Sequence, residues 1–128
     1  MCNKIKGGLE MKRYHKDIYF PITLNFSKFW DNIPLLTYSA HFLKRLGERY
    51  RKHIPQINLA TAKRGDVFEV YAENNNIEKL GIRIRVNKFK YNCYIISKDG
   101  NVLTAWTTHK PGILCNMDTS LYEKRCIK

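Results

Sequence analysis

The feature that most constrains the fold is a change of hydrophobic period after Gly65. From there to residue 108, apolar and polar side chains alternate in four segments, DVFEVYA, LGIRIRV, YNCYIIS and VLTAWTT. A period of two is typical of strands that bury one face of a sheet. The connections ENNN, NKFK and KDGN are short and rich in turn formers, which favours antiparallel neighbours. We therefore predict a four-stranded antiparallel meander.

The first half of the chain has helical periodicity instead. In TYSAHFLKRLGERY, residues 37–50, Ser39 or Thr37 can cap a helix, and Pro55 ends it. Its apolar stripe is Phe42, Leu43, Leu46 and Tyr50, and its opposite side carries His41, Arg45, Glu48 and Lys52, with Arg49 between the two. Shorter helices are expected around Ser27 to Asp31 and from about Gln56 to Arg64, before Gly65. The predicted fold is α+β, with N-terminal helices packed on one face of the sheet.

The length of 128 residues fits one domain. We expect that domain to span residues 13–128, after a loose segment over residues 1–12 that lacks periodicity. The codons for Lys6-Gly7-Gly8 can be purine-rich enough for a ribosome-binding site. This is the basis of a hypothesis that translation begins at Met11.

The charge of the chain points to a polyanionic partner. Lys and Arg number 23 against 11 Asp and Glu, which gives a net charge of +12. Nucleic acid is the first candidate and an anionic membrane surface the second. No window has the roughly 20 apolar residues of a membrane span, and the N-terminus lacks the apolar stretch of a secretory signal. The expectation is a cytoplasmic protein, of a bacterium or of a phage-infected cell, without a membrane partner.

The four cysteines, Cys2, Cys93, Cys115 and Cys126, are expected to be free thiols, because nothing in the sequence indicates secretion. The sequence has no CxxC or HExxH spacing, so it carries no metal-site motif, and we expect no cofactor.

Strand pairing assigns side chains to faces. A two-residue Asp99-Gly100 turn pairs Tyr94 with Ala105 and Asn92 with Thr107, and a four-residue NKFK loop pairs Arg83 with Tyr94. The helix-covered face is then expected to hold Phe68, Val70, Ile82, Ile84, Val86, Cys93, Ile95, Val102, Thr104 and Trp106. The opposite face is expected to hold Glu69, Tyr71, Arg83, Arg85, Asn92, Tyr94 and Thr107, with His109 if β-structure continues that far.

These residue types suit RNA cleavage by the 2′-hydroxyl group, which needs a base, an acid and cations on the phosphate. Glu69 is the candidate base, and His109 or His41 the candidate acid. Arg83 and Arg85 are the candidate catalytic cations. Candidate RNA-binding residues are Arg45, Arg49, Tyr71, Tyr94 and Thr107. The alternative for both the strand arginines and the helix stripe is an ordinary solvated face.

The pattern Ser-x-His-x3-Arg-x3-Arg (Ser39, His41, Arg45, Arg49) and the last-strand residues 103–106, LTAW, carry a family resemblance. The chain resembles the barnase, EndoU, colicin and RelE-like superfamily of small endoribonucleases, and its helix is similar to that of RegB-type phage endoribonucleases. The order Glu69, Arg83, Arg85, His109 is similar to the acid, arginine, arginine, histidine order of barnase-like enzymes. The resemblance implies metal-independent cleavage of mRNA or ribosome-bound RNA by a phage or toxin protein, with an antitoxin or host protein as a possible partner.

A second hypothesis remains open. The same basic surface fits a non-catalytic phage protein that binds nucleic acid or inhibits a host complex. Binding to anionic membranes is less well supported, because the charges alternate with apolar residues in strands and do not form one basic amphipathic helix.

Overall fold

The four alternating segments form the centre of one sheet in the computed structural model, which describes residues 11–16, 19–40, 42–44 and 54–109. The predicted meander is present as β3 (Asp66–Glu73), β4 (Asn76–Asn87), β5 (Lys90–Ser97) and β6 (Asn101–Thr108). Two further strands, β1 (Met11–His15) and β2 (Thr37–Tyr38), make the described sheet six-stranded, in the order β1-β3-β4-β5-β6-β2. The fold is thus α+β, as predicted, but the sheet is larger than the four strands expected.

The two added strands occupy the edges of the sheet. β1 is antiparallel to β3, with Met11 opposite Glu73 and His15 opposite Glu69. β2 is parallel to β6, and Thr37 lies opposite Asn101. Residues 11 and 12, expected in a loose segment, therefore belong to the sheet, while residues 1–10 lie outside the described part of the chain.

The turns have residues that suit their backbone angles. Asn74 and Asn75 connect β3 to β4 with φ of 53° and 69°, a left-handed conformation that asparagine tolerates well. Gly100 precedes β6 with φ of 85°. A Cβ at Gly100 would lie 2.7 Å from the Leu35 carbonyl oxygen, so this close approach of the chain to the β5–β6 turn requires glycine.

Asparagine and serine side chains cap the described helices. α1 (Phe26–Asp31) begins after Asn25, whose side chain accepts from the Lys28 amide. α2 (Leu59–Lys63) begins after Asn58, which accepts from the Thr61 amide. Helical residues also follow Ser39, whose Oγ accepts from the Phe42 amide at 3.0 Å. Of the two residues predicted to cap this helix, Ser39 and Thr37, Ser39 therefore provides the cap.

The hydrophobic core lies between the helices and one face of the sheet. Phe29, Phe42 and Ala62 from the helical segments are buried there. The sheet contributes buried side chains from five strands, namely Tyr14, Val70, Ala72, Ile77, Leu80, Ile82, Tyr94, Ile96, Val102 and Ala105. We call this the helix-covered face, and the other side the second face. No helix in the described ranges is long and apolar enough to cross a lipid bilayer.

Candidate functional site

The second face carries four of the predicted site residues. Glu69 and Tyr71 alternate along β3, and Arg83 and Arg85 alternate along β4. Glu69 lies opposite Gly81 in the sheet. Residues 81, 83 and 85 lie on one face of β4, so Arg83 and Arg85 share the face of Glu69. The prediction that these four residues share one face is therefore confirmed.

The predicted pairing of β4 with β5 is wrong by one residue. Arg83 lies opposite Cys93 and Arg85 opposite Tyr91, because a bulge at Val86 adds one residue to β4 before the turn. A shift of one residue moves every side chain of the partner strand to the other face. The pairing of β5 with β6 is as predicted, with Tyr94 opposite Ala105. The side chains of β6 therefore change faces together with those of β5.

This shift removes Asn92, Tyr94 and Thr107 from the candidate site. Tyr94 is fully buried on the helix-covered face, where its hydroxyl donates to the Pro55 carbonyl oxygen at 2.6 Å. Burial raises the pKa of the Tyr94 hydroxyl above its ordinary value. Thr107 Oγ1 donates to Asn92 Oδ1 at 3.0 Å. These three side chains therefore form hydrogen bonds within the fold, and the ring of Tyr94 is not available for stacking on a base.

The same shift corrects the predicted core. Residues expected under the helices lie on the second face instead, namely Cys93, Ile95, Thr104 and Trp106. A further bulge, between Val67 and Glu69, places Phe68 there as well, and its ring lies 6.0 Å from that of Trp106. Val86 is an exposed bulge residue, 49% accessible. Val70, Ile82, Ile84 and Val102 do lie on the helix-covered face, as expected.

Glu69, the candidate base, is buried and engaged on both oxygens. Only 3% of it is exposed. Arg13 Nε donates to its Oε2 at 2.8 Å, and the Tyr71 hydroxyl donates to its Oε1 at 3.2 Å. Burial and the Glu69 charge raise the pKa of Tyr71 to about 12, so Tyr71 remains a donor at neutral pH. The arrangement holds the carboxylate in place and leaves it little contact with solvent.

The histidine beside Glu69 is His15, which the sequence reasoning missed. His15 lies directly opposite Glu69 on β1 and is 2% exposed. Its ring meets that of Phe68 edge to face, with centroids 5.9 Å apart. The sequence offers little indication of this strand. Its alternation of polar residues, Arg13 and His15, with Tyr14 covers only five residues, and β1 pairs with a strand more than 50 residues away.

His109, the candidate acid, lies far from Glu69. It follows β6, which is the third strand from β3 in the sheet. Thr104 of β6 lies level with Glu69 across the intervening strands, and His109 is five residues beyond Thr104 along the chain. Strand spacing and rise place the two backbones about 20 Å apart. Glu69 and His109 therefore cannot act together on one phosphate. His41, Arg45 and Arg49 lie outside the described residues.

Asp66 binds the neighbouring cations. It accepts from Lys16 Nζ at 2.6 Å and from Arg83 Nε at 2.8 Å. Burial on its own would raise the pKa of the Asp66 carboxyl, but the hydrogen bonds and charges of Lys16 and Arg83 outweigh it and hold the pKa below its ordinary value. Arg83, a candidate phosphate ligand, is therefore already paired with a carboxylate.

A group of neighbouring cations without a carboxylate partner among the described residues lies at the end of the β4–β5 hairpin. We call residues 85–91, sequence RVNKFKY, the β4–β5 tip. Among the described residues, the salt bridges involve neither Arg85 nor Lys88 nor Lys90. Residues 84–97 and 100–109 also contain no Asp or Glu. Phe89 is 68% exposed at this tip, which makes it both basic and aromatic.

A polar depression of about 450 Å³ lies at the other end of β4, beside α1. Several of its lining groups already bind one another. Asn25 caps α1, Thr23 Oγ1 donates to Asn75 Oδ1 at 3.1 Å, and Glu78 pairs with Lys98. These bonds explain the depression as part of the turn and cap structure.

The chain has no significant match among protein-family models, curated proteins or solved structures.

Proposed function

We propose that this protein binds RNA and that RNA phosphates lie along the β4–β5 tip. The observation that carries the proposal is that three cations, Arg85, Lys88 and Lys90, lie close together at one hairpin end, beside the exposed ring of Phe89. Arg13, Lys16 and Arg83 are bound by Glu69 or Asp66, whereas Arg85, Lys88 and Lys90 form no salt bridge with a carboxylate of the described residues. A phosphate backbone gains most binding free energy from cations that no carboxylate already neutralises.

RNA is favoured over an anionic membrane because aromatic and basic side chains alternate at the tip, as they do in surfaces that bind single strands. The family resemblance also favours RNA over DNA. Arg85 is exposed and suits bidentate phosphate binding. Lys88 and Lys90 add charge on either side of Phe89.

The proposal is tested by fluorescence anisotropy with a labelled 20-nucleotide RNA between about 50 and 300 mM salt. Each phosphate contact contributes roughly one unit to the slope of log affinity against log salt. Replacing Arg85, Lys88 and Lys90 by alanine should reduce that slope by about 2–3. The matched control replaces the exposed Lys28, Lys44 and Lys63, which removes the same charge elsewhere. Equal losses from the two triple variants would contradict a site at the tip.

RNA cleavage is the second candidate, favoured by one observation. His15 and Glu69 face each other across β1 and β3, and Arg13 binds the carboxylate. A histidine and a carboxylate are a suitable acid–base pair for 2′-hydroxyl attack. Binding ranks above cleavage because both side chains are at most 3% exposed.

Cleavage is tested by incubating the protein with end-labelled RNA in excess EDTA. A 2′-hydroxyl mechanism leaves 2′,3′-cyclic phosphate ends and survives chelation. Separate His15→Ala, His41→Ala and His109→Ala variants identify the acid or base, whose loss should lower the rate by roughly 100-fold or more. Intact RNA after long incubation would leave binding as the function. Inducing the protein in a bacterial host adds a cellular measure, since a ribonuclease toxin should arrest growth and a binder should not.

A further inference from the structure

We propose that the β4–β5 tip recognises unpaired RNA bases by stacking one of them on the ring of Phe89. The inference rests on the proposed RNA binding and specifies its substrate class. It starts from the combination of an exposed ring with neighbouring cations. Phe89 is 68% exposed and Val86 49% exposed, on a chain segment that is otherwise basic. Aromatic rings in a positively charged surface are the groups on which single-stranded nucleic acids stack their bases.

The backbone of the tip is held in a defined shape. Asn87 and Lys90 are paired across the hairpin, which leaves Lys88 and Phe89 as the two turn residues. The Phe89 amide donates to Asn87 Oδ1 at 2.9 Å, and Arg85 Nε donates to the Asn87 carbonyl oxygen at 3.2 Å. Asn87 thus holds the turn through its side chain, which binds the Phe89 amide, and through its carbonyl oxygen, which binds Arg85. A ring presented on an ordered turn loses less freedom on binding than one on a loose loop.

The charges around the ring fit a stacked nucleotide. Lys88 Nζ lies 5.8 Å from the centroid of the Phe89 ring, and Lys90 follows Phe89 in the chain. A base on the ring would therefore have cations near the phosphates on either side of it. Every base has a flat face that can stack in this way, so such contacts are tolerant of sequence.

The same geometry disfavours duplex RNA and membranes. In a duplex, both faces of each base are covered by its neighbours, and the major groove of A-form RNA is too narrow for side chains to read. For a membrane, inserting Phe89 would also bring Lys88 and Lys90 toward the hydrocarbon region, with Val86 and the half-buried Tyr91 as the only other apolar side chains of the tip. Single-stranded RNA satisfies both the ring and the cations.

The experiment compares a labelled single strand of 12 nucleotides with the duplex of the same strand, by anisotropy at several salt concentrations. Phe89→Ala should weaken binding of the single strand roughly 5- to 150-fold, as expected for a lost base stack, and should change duplex binding less than two-fold. Because the ring is uncharged, the salt slope should stay the same. Ile22→Ala, which shortens an exposed apolar side chain outside the tip, is the matched control and should have little effect. The melting temperature of Phe89→Ala should equal that of the unmodified protein, since the ring is exposed.

The outcomes separate this inference from the proposed function. If the protein binds neither RNA, the proposed function fails and the inference fails with it. If single strand and duplex bind equally and Phe89→Ala changes neither, the inference is overturned while RNA binding stands. Vesicles of phosphatidylserine and phosphatidylcholine supply the last comparison. Phe89-dependent binding to vesicles with unchanged RNA affinity would overturn the inference in favour of a membrane contact.

Discussion

Replacing Glu69 tests whether the centre of the second face is structural. The carboxylate is 3% exposed and accepts from Arg13 at 2.8 Å and Tyr71 at 3.2 Å. A hydrogen bond to a charged group contributes about 1.5–3 kcal/mol, and removing one partner of a fully buried ion pair costs about 3–5 kcal/mol. The Arg13 side chain is 31% exposed, so water can solvate the cation left behind. Glu69→Gln keeps the side-chain shape, and we expect it to lower the free energy of unfolding by about 2 kcal/mol.

Urea unfolding followed by circular dichroism at pH 7 measures this free energy directly. For a domain of this size, the melting temperature should fall by roughly 6–10 °C. Glu78→Gln is the control, because Glu78 pairs with Lys98 at the surface and such pairs contribute at most about 1 kcal/mol. A change for Glu69→Gln no larger than that of the control would refute the reasoning. A stable variant that had lost RNA cleavage would instead assign Glu69 to catalysis.

Three other predictions concern single groups. Tyr94→Phe leaves the Pro55 carbonyl without its buried donor and should cost about 1–3 kcal/mol in urea unfolding; no loss would contradict the placement of Tyr94 in the core. Cys93 is buried and its pKa is raised to about 12, so, with the other three cysteines replaced by serine, its thiol should react with Ellman's reagent at pH 8 only after denaturation. The pKa of Asp66 is lowered in the fold, so its ion pairs stabilise the protein above about pH 4 and lose this effect as the pH falls further. Urea titrations below pH 4 should therefore show a smaller loss of stability for Asp66→Asn than for the unmodified chain.

Local sequence patterns were sufficient to predict the meander. Alternation identified β3 to β6, and Asn, Asp and Gly residues identified their turns. The β5–β6 pairing was also predicted correctly, although the structure has a further irregularity after Ile95. The edge strands were missed because each is short. β1 is a basic segment of five residues and β2 has two, and both pair with segments far away in the chain.

The candidate site was predicted only in part, and one bulge explains most of the difference. Bulges depend on how two strands twist together, which is not visible in the alternation of either strand alone. The extra residue at Val86 transferred Tyr94 to the core and Cys93 to the second face. The alternation of Glu69 with Tyr71 in β3, and of Arg83 with Arg85 in β4, was as predicted, so these residues were placed on the correct face. Their pairing with Arg13 and Asp66 could not be predicted, because both contacts are long-range.

The net charge of +12 indicated a polyanionic partner, but the placement of carboxylates determines where that partner can bind. Asp66 and Glu69 neutralise cations at the centre of the second face, and the β4–β5 tip has no carboxylate of its own. A polyanion is attracted by the local field and not by the total charge. Lys90→Glu and Lys63→Glu change the net charge equally, and both lysines belong to the described part of the chain. We expect Lys90→Glu to weaken RNA binding at least about ten times more than Lys63→Glu in anisotropy at about 100 mM salt. Equal effects would mean that RNA responds to the charge of the whole chain and that the tip is not the binding site.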